Sequence, residues 1–480
     1  MAKKDYDAIV VGSGPNGLSA AITLQREGLS VLLLEAKNTI GGGMRTEELT
    51  LPGFKHDVCS AIHPMASDSG FFQSLPLHDF GLEYITPPIA FAHPLDDETA
   101  GAAYNSLDET VEALGEDGRA YRNLMEPVIR DWRYLEPDLF APLHFPNHFF
   151  TLARFGSNAI RSANAIAKRF KTEKAKALWA GVTAHSTLPL NYSGTAAIGL
   201  VLGSAAHKGG WPMAKGGSQS IARALSGYFV SLGGKIETGF YVKSLEQLPS
   251  CYAVLFDVSP RQLLQISGNY FSGSYKRKLT RFKYGMGVFK IDWALDAPIP
   301  FTARECRLAG TVHIGNTIKE IRASEKAAWE GSESSAPFVL LAQQSIFDDS
   351  RAPQGKHTAW AYCHVPNGST KDMTEIIEKQ VERFAPGFRE SIIGRHTMNT
   401  QQIEDYNPNY IGGDIVGGAN TIRQLFARPV LKYSPYRTSA NGIYICSAST
   451  PPGGGVHGFC GYHAARRVLL DIFRNREIPA

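Results

Sequence analysis

Residues 7–35 limit this chain more than any other part of it. Asp7-Ala8-Ile9-Val10-Val11 is a short apolar run of the kind that forms a buried parallel strand. It leads without a break into Gly12-Ser13-Gly14-Pro15-Asn16-Gly17, a G-x-G-x-x-G. A helical pattern from Leu18 to Glu27 follows, closed by Gly28, and then Ser30-Val31-Leu32-Leu33-Leu34-Glu35, a second strand ending in an acid. Each piece has a physical task in a βαβ unit that holds a dinucleotide. Gly12 allows the tight turn, Gly14 lets the backbone approach a pyrophosphate, and Gly17 lets the helix pack on the strand. Ser13, Pro15 and Asn16 complete a helix start whose free N–H groups and positive dipole end favour phosphate. Glu35 stands at the distance from the glycines at which an acid accepts from a ribose 2′-OH, and it would repel a 2′-phosphate.

A second glycine cluster, Gly41-Gly42-Gly43, comes just beyond Glu35-Ala36 and is followed by Met44-Arg45-Thr46. Near the other terminus, the strand-like run Gly442-Ile443-Tyr444-Ile445-Cys446-Ser447 leads into Ala448-Ser449-Thr450-Pro451-Pro452-Gly453-Gly454-Gly455-Val456-His457-Gly458. A helical pattern then begins at Phe459. A strand, a glycine loop and a helix start make a second anion site. The first cluster resembles the E-A-x(4)-G-G segment of the phytoene desaturase and amine oxidase-like superfamily of FAD-dependent oxidoreductases. The C-terminal run resembles that superfamily's last motif. Two departures are visible: Gly43 stands where an arginine is common, with Arg45 two places on, and Ser447 replaces a glycine. Trp211-Pro212-Met213-Ala214-Lys215-Gly216-Gly217-Ser218 resembles its P-x-G-G turn. Gly233-Gly234-Lys235-Ile236-Glu237 and Tyr241-Val242-Lys243-Ser244-Leu245 resemble its next two strands.

The resemblance implies FAD as cofactor, with Ala36, Gly42, Gly43, Arg45, Val242, Thr450, Gly455 and Val456 joining the first loop and Glu35 in holding it. It implies an α/β chain, α+β overall, with a discontinuous Rossmann-type FAD domain made of 1–70, 211–268 and 431–480. A mainly helical cap is expected over 71–210 and a substrate domain with an antiparallel sheet over 269–430. Ala92-His93-Pro94-Leu95-Asp96-Asp97, Ala385-Pro386-Gly387-Phe388 and Asn407-Pro408-Asn409 are similar to the branch called pyridine nucleotide-disulfide oxidoreductase domain-containing protein 2. No C-x-x-C occurs, so disulfide redox chemistry is not expected.

A net charge of +4 over 480 residues and 20% charged residues give no polyanion-binding signature, so nucleic acid is not an expected partner. The six cysteines, without metal spacing, read as buried thiols of a reducing compartment. The first strand begins too early for a signal peptide, and no apolar run reaches about 18 residues. The expected location is cytoplasmic, at most peripheral to a membrane. Thr151 to Gly181 is the most basic stretch; Arg154, Arg161 and Lys168 recur in it, with Phe155, Ala159, Ile166 and Phe170 at helical spacing. It reads as an interfacial helix or, more readily, as a cap helix with one solvated face.

With one dinucleotide fingerprint, the flavin is expected to take electrons from an apolar small molecule and pass them to oxygen, a quinone or a carrier. Dehydrogenation of a long apolar or polyene substrate is the leading reading. A redox-neutral isomerase, an amine oxidase-like enzyme and a non-catalytic flavin-binding interaction protein are the alternatives. His457, in the C-terminal loop, is the leading candidate for proton transfer. His63, His185 and His207 read as structural histidines, and Tyr410 as a residue near the substrate face. No metal site is expected.

Overall fold

The computed structural model describes residues 4–474. Residues 1–3 and 475–480, at the ends of the first and last expected segments, lie outside it. Five strands form one parallel sheet in the order Ile443–Ile445, Ala253–Phe256, Ala8–Val11, Val31–Leu34, Lys235–Glu237. They come from three separated stretches of chain. A parallel sheet must be covered on both faces, and the alternation of its side chains achieves this. Ala8, Val10, Leu33 and Leu255 pack with Leu18, Ile22, Leu225, Phe229 and Val468 of the helices Pro15–Arg26, Gln219–Ser231 and Phe459–Val468. Ile9, Val11, Leu32 and Phe256 face a second cluster with Leu263, Phe271 and Leu279. The helices Pro15–Arg26 and Phe459–Val468 cross closely because Gly461 lies against the Asn16 carbonyl, where a side chain would overlap it.

The second sheet has seven strands: Ile392–Met398, Gly287–Leu295, His357–Val365, Val339–Ala342, Ala309–Ile314, Ile89–Pro94, Ala100–Tyr104. Its pairings are antiparallel except Ala309–Ile314 with Ile89–Pro94, so it is mixed rather than antiparallel throughout. Two of its strands come from the 71–210 segment. Apart from these and the two-residue strand Tyr84–Ile85, its regular elements are helical, chiefly from Leu107–Ala113 to Thr195–Gly209. One face of this sheet carries Phe289, Ile291, Trp293, Leu341, Ala361 and Val312 into a closed apolar core.

The register sets the other face in two rows. Met398, Lys290, Tyr362, Leu340 and His313 lie abreast, as do His396, Asp292, Trp360, Ala342 and Thr311. The alternating run Gly287–Trp293 thus separates core residues from those that face the rest of the molecule.

Three expectations about local structure and burial need correction. The basic stretch 151–181 is not one helix. It breaks at residues 160–162, where Ser162 caps a new helix by accepting from the Ala165 N–H at 3.1 Å. Phe155, Ala159, Ile166 and Phe170 are all buried in the cap core. Residues 241–245 form no strand. Val242 is buried while its neighbours Tyr241 and Lys243 are exposed; the strand beside Ala8–Val11 is instead the apolar run Ala253–Phe256. The thiols are all free, and Cys59 and Cys251 are half-buried rather than buried.

Asp57 joins the two sheets' territories. It is fully buried and accepts from Arg351 Nη2 at 2.7 Å, the Ser218 N–H at 2.8 Å and Thr46 Oγ1 at 2.8 Å. These cationic and dipolar donors hold its carboxyl below the usual range against the opposing effect of burial. Replacing Arg351 by Leu strands that carboxylate in the interior. A loss of about 3–5 kcal/mol is expected, read as a lower denaturant midpoint. Arg351→Leu combined with Asp57→Asn should recover part of it.

Candidate functional site

A cavity of about 550 Å³ runs between the parallel sheet, the second sheet and the cap. Its nucleotide end is built from backbone. Gly12 adopts φ +103°, a left-handed conformation natural to glycine, with the Asp257 carbonyl 2.9 Å from where a Cβ would sit. A Cβ on Gly42 would stand 2.9 Å from the Gly14 Cα, so the two glycine loops touch. Pro15 opens the helix at its first position, and Gly14 to Asn16 present the helix start to the cavity. The Oδ1 of Asn16 is buried there without a hydrogen-bond partner.

Glu35 gathers the donors around it. It accepts from the Ser13 N–H at 3.0 Å, from Ser13 Oγ at 2.5 Å, from the Lys37 N–H at 2.9 Å and from Arg45 Nη2 at 3.1 Å. Arg45 also donates to the carbonyls of Thr39 and Gly42. Arg45 therefore fixes the turn between Glu35 and the second glycine cluster. Ala36, Gly42, Gly43, Arg45 and Val242 line the same cavity.

From the opposite side come Ser447, Ala448, Ser449, Gly455 and Val456. The two glycine-lined helix starts, one near each end of the chain, thus close on one cavity. Thr450 and Gly17 stand behind the wall. The Thr450 hydroxyl donates to the Ser447 carbonyl at 2.7 Å and shapes the loop, while the Gly17 N–H donates to Asp257 at 2.9 Å.

His457 does not face the cavity, contrary to the expectation placed on it. It is 1% exposed, its Nδ1 accepts from the Phe459 N–H at 3.1 Å, and its ring packs near Phe140 and Phe459. It caps the last helix, and burial lowers its pKa to about 4. Of the other histidines, His63 and His185 line the cavity, and His207 is bonded to Tyr121 at 2.8 Å away from it. Tyr410 lines the cavity over Gly43.

Sequence reading assigns no site role to Asp257, to Asn409 or to the aromatic wall. Asp257 ends an apolar strand just as Glu35 does, which was the available signal. It is buried and lines the cavity beside Gly14, 2.7 Å from that residue's missing Cβ. Desolvation, with a smaller contribution from Glu35, pushes its pKa up to about 7. Asn409 accepts from the Ser259 N–H at 2.7 Å and from Gln262 at 2.9 Å, and donates to the Asp257 carbonyl. Beside it, the Tyr406 ring lies under Lys37 and Arg45, at 5.7 and 5.6 Å. Residues 405–410 therefore cover the nucleotide groove. Further in, Trp360, Tyr362, Leu340, Trp211 and Leu202 form a largely apolar arm.

A carboxyl with a pKa near 7 beside a phosphate cradle makes affinity pH-dependent. Above pH 7 Asp257 ionises and repels a pyrophosphate; below it the neutral acid does not. FAD affinity should fall as pH rises from 6 to 8.5. In Asp257→Asn, which keeps an acceptor for Gly17, the affinity should stay level and be several-fold tighter at pH 8.5. Fluorescence titration of the apoprotein with FAD checks both.

The residues present fit a flavin dinucleotide: the orphaned Asn16 acceptor, a cradle that Cβ atoms would fill, and an acid set for a ribose. Residues 10–74 match the NAD(P)-binding Rossmann-like domain. Over 98% of the chain, the sequence is 26% identical to pyridine nucleotide-disulfide oxidoreductase domain-containing protein 2 of Rattus norvegicus, of which 94% is covered. It is 24% identical, over 99% of the chain and 86% of the relative, to prolycopene isomerase 1, chloroplastic, of an Oncidium hybrid cultivar. Among solved structures, an oxidoreductase from Methanosarcina mazei aligns with a TM-score of 0.63 at 14% identity, over 97% of this chain and all of that one. Putrescine oxidase bound to putrescine aligns with a TM-score of 0.60 at 15% identity, over 98% and 99%. These structures share the fold. Sequence and fold fit the phytoene desaturase and amine oxidase-like superfamily of FAD-dependent oxidoreductases, and the cradle fits FAD.

Proposed function

We propose that this chain dehydrogenates an apolar small molecule, of the size and character of a terpenoid or polyene, and hands the electrons on to oxygen, a quinone or a carrier. The observation that carries the reading is the arm of the cavity beyond the nucleotide cradle. It is walled by Trp360, Tyr362, Leu340, Trp211 and Leu202 and continues directly from the loops that hold the cofactor. Such a wall orients an apolar substrate and excludes water. FAD, when bound, supplies the hydride acceptor. The chain's own part is to fix the cradle through Glu35, Arg45 and Asp257 and to present the substrate along the face of the second sheet.

The relatives named prolycopene isomerases support a second reading, a redox-neutral isomerisation of a polyene. An amine substrate, as in putrescine oxidase, finds less support. The acids on the cavity wall are Glu35, Asp257 and Asp405. The first two sit in the nucleotide cradle, and Asp405 adjoins the Tyr406–Tyr410 cover. No carboxylate therefore faces the apolar arm among the described residues.

We further propose that the substrate enters from a membrane surface. Phe145 and Phe150 are 86% and 87% exposed, with Phe149 between them in sequence, and Arg154, Arg161 and Lys168 follow. Exposed aromatics beside cations suit the interface of an anionic bilayer. Among the described residues no helix is long and apolar enough to cross a membrane, so the contact would be peripheral.

Anaerobic mixing of the FAD-loaded protein with a panel of terpenoids and polyenes tests the reaction. Bleaching of the visible flavin band is expected. Product formed only after chemical reduction of the flavin would favour isomerisation, and silence throughout would favour the interaction protein. Co-sedimentation with phosphatidylglycerol vesicles should be clear for the native chain and reduced at least several-fold in Phe145→Ser/Phe150→Ser.

A further inference from the structure

We infer that the apolar arm ends on a neutral hydrogen-bonding post, His185 backed by His313, which selects a molecule carrying one uncharged oxygen function, a hydroxyl or a carbonyl. The inference rests on the proposed function and narrows its substrate class.

His185 follows the helix Glu173–Ala184 and lines the cavity, its ring edge-on to Trp211 at 5.4 Å. Its Nε2 meets the Nε2 of His313 at 2.9 Å. His313 stands on the sheet face that floors the arm, abreast of Leu340 and Tyr362. It is completely buried, and Gly181 permits this: a Cβ at 181 would lie 2.8 Å from the His313 Cβ. The remaining nitrogen of His313 is sealed without a partner.

Burial drives both rings to remain neutral, His185 titrating only at about 3 and His313 well below its usual range. A neutral imidazole has one N–H. One ring must therefore donate across the 2.9 Å contact and the other accept. If His185 donates there, its Nδ1 is a free acceptor suited to a hydroxyl. If His185 accepts there, its Nδ1 carries the proton and suits a carbonyl. No hydrogen bond from a described residue occupies that nitrogen. Thr311, two residues from His313 on the same strand face, adds a buried hydroxyl that also lacks a partner and also lines the cavity.

The surroundings exclude the other substrate classes. Phe91, Trp211 and Phe338 pack around the pair. Glu325, the acid behind this region, is bonded to His364 at 2.7 Å and does not reach the cavity wall. An ammonium would find no counter-charge. A pure hydrocarbon would leave His185 and Thr311 unpaired after driving out water, which is costly.

The test uses the FAD-loaded protein at pH 7 and three probes of one chain length: 1-octanol, n-octane and n-octylammonium. Binding is read from the perturbation of the visible flavin band, without turnover. The native protein should bind octanol about tenfold more tightly than either other probe. His185→Phe should abolish the preference by weakening octanol alone. His185→Gln, a neutral donor and acceptor, should restore it in part. His313→Phe should weaken it with His185 still in place. Octane bound as tightly as octanol, octylammonium bound more tightly, or no probe bound would each overturn the inference. A protein that takes up no FAD would overturn the reading beneath it, whereas retained flavin without octanol preference overturns this inference alone.

Discussion

A buried carboxylate sets the geometry on which the rest depends. Asp57 draws together Thr46 after the second glycine cluster, Ser218 at the start of a helix flanking the parallel sheet, and Arg351 beside the second sheet. Those partners are widely separated in sequence, and Arg351 is joined to the other two through this carboxylate. An ionised group in the interior tolerates little displacement, because each lost donor leaves charge unsolvated. The distance between cofactor cradle and substrate floor is thereby held by electrostatics more strictly than apolar packing alone would hold it.

Around that fixed point, polarity is graded along the cavity. The cradle end is dense with backbone N–H groups, Glu35, Arg45 and Asp257, and the middle is aromatic. The other end carries the His185 ring, backed by the buried His313. Such a gradient aligns a bound molecule end to end before any chemistry, since each part of it has one region where its desolvation is repaid.

The nucleotide half was readable in the sequence because it depends on local rules. Gly12, Gly14 and Glu35 owe their roles to spacing along a βαβ unit, and the chain order alone places them. The C-terminal loop was readable through its glycines, since a backbone that comes close to a ligand must shed Cβ atoms. His457 shows the limit. Its position in that loop is local information, but the direction of its ring depends on Phe140 and Phe459, and the contact with Phe140 spans most of the chain. The substrate floor was hidden for a related reason. Alternation in Gly287–Trp293 revealed a strand, yet which neighbours lie abreast of Lys290 follows from register across five strands. The strand Ala253–Phe256 is only four apolar residues with no glycine motif beside it, so its sequence does not separate it from 241–245 as the next strand of the sheet.

The two-sided second sheet has an evolutionary corollary. Residues 311, 340, 360 and 362 line the cavity, while the adjacent positions 312, 341 and 361 are locked in a sealed core. Substitutions confined to the first set can retune what the chamber accepts with little penalty to folding. A one-residue insertion in any of these strands would exchange the two sets at once. Diversification among descendants of this architecture should therefore proceed by replacement at alternate positions, with strand lengths left untouched.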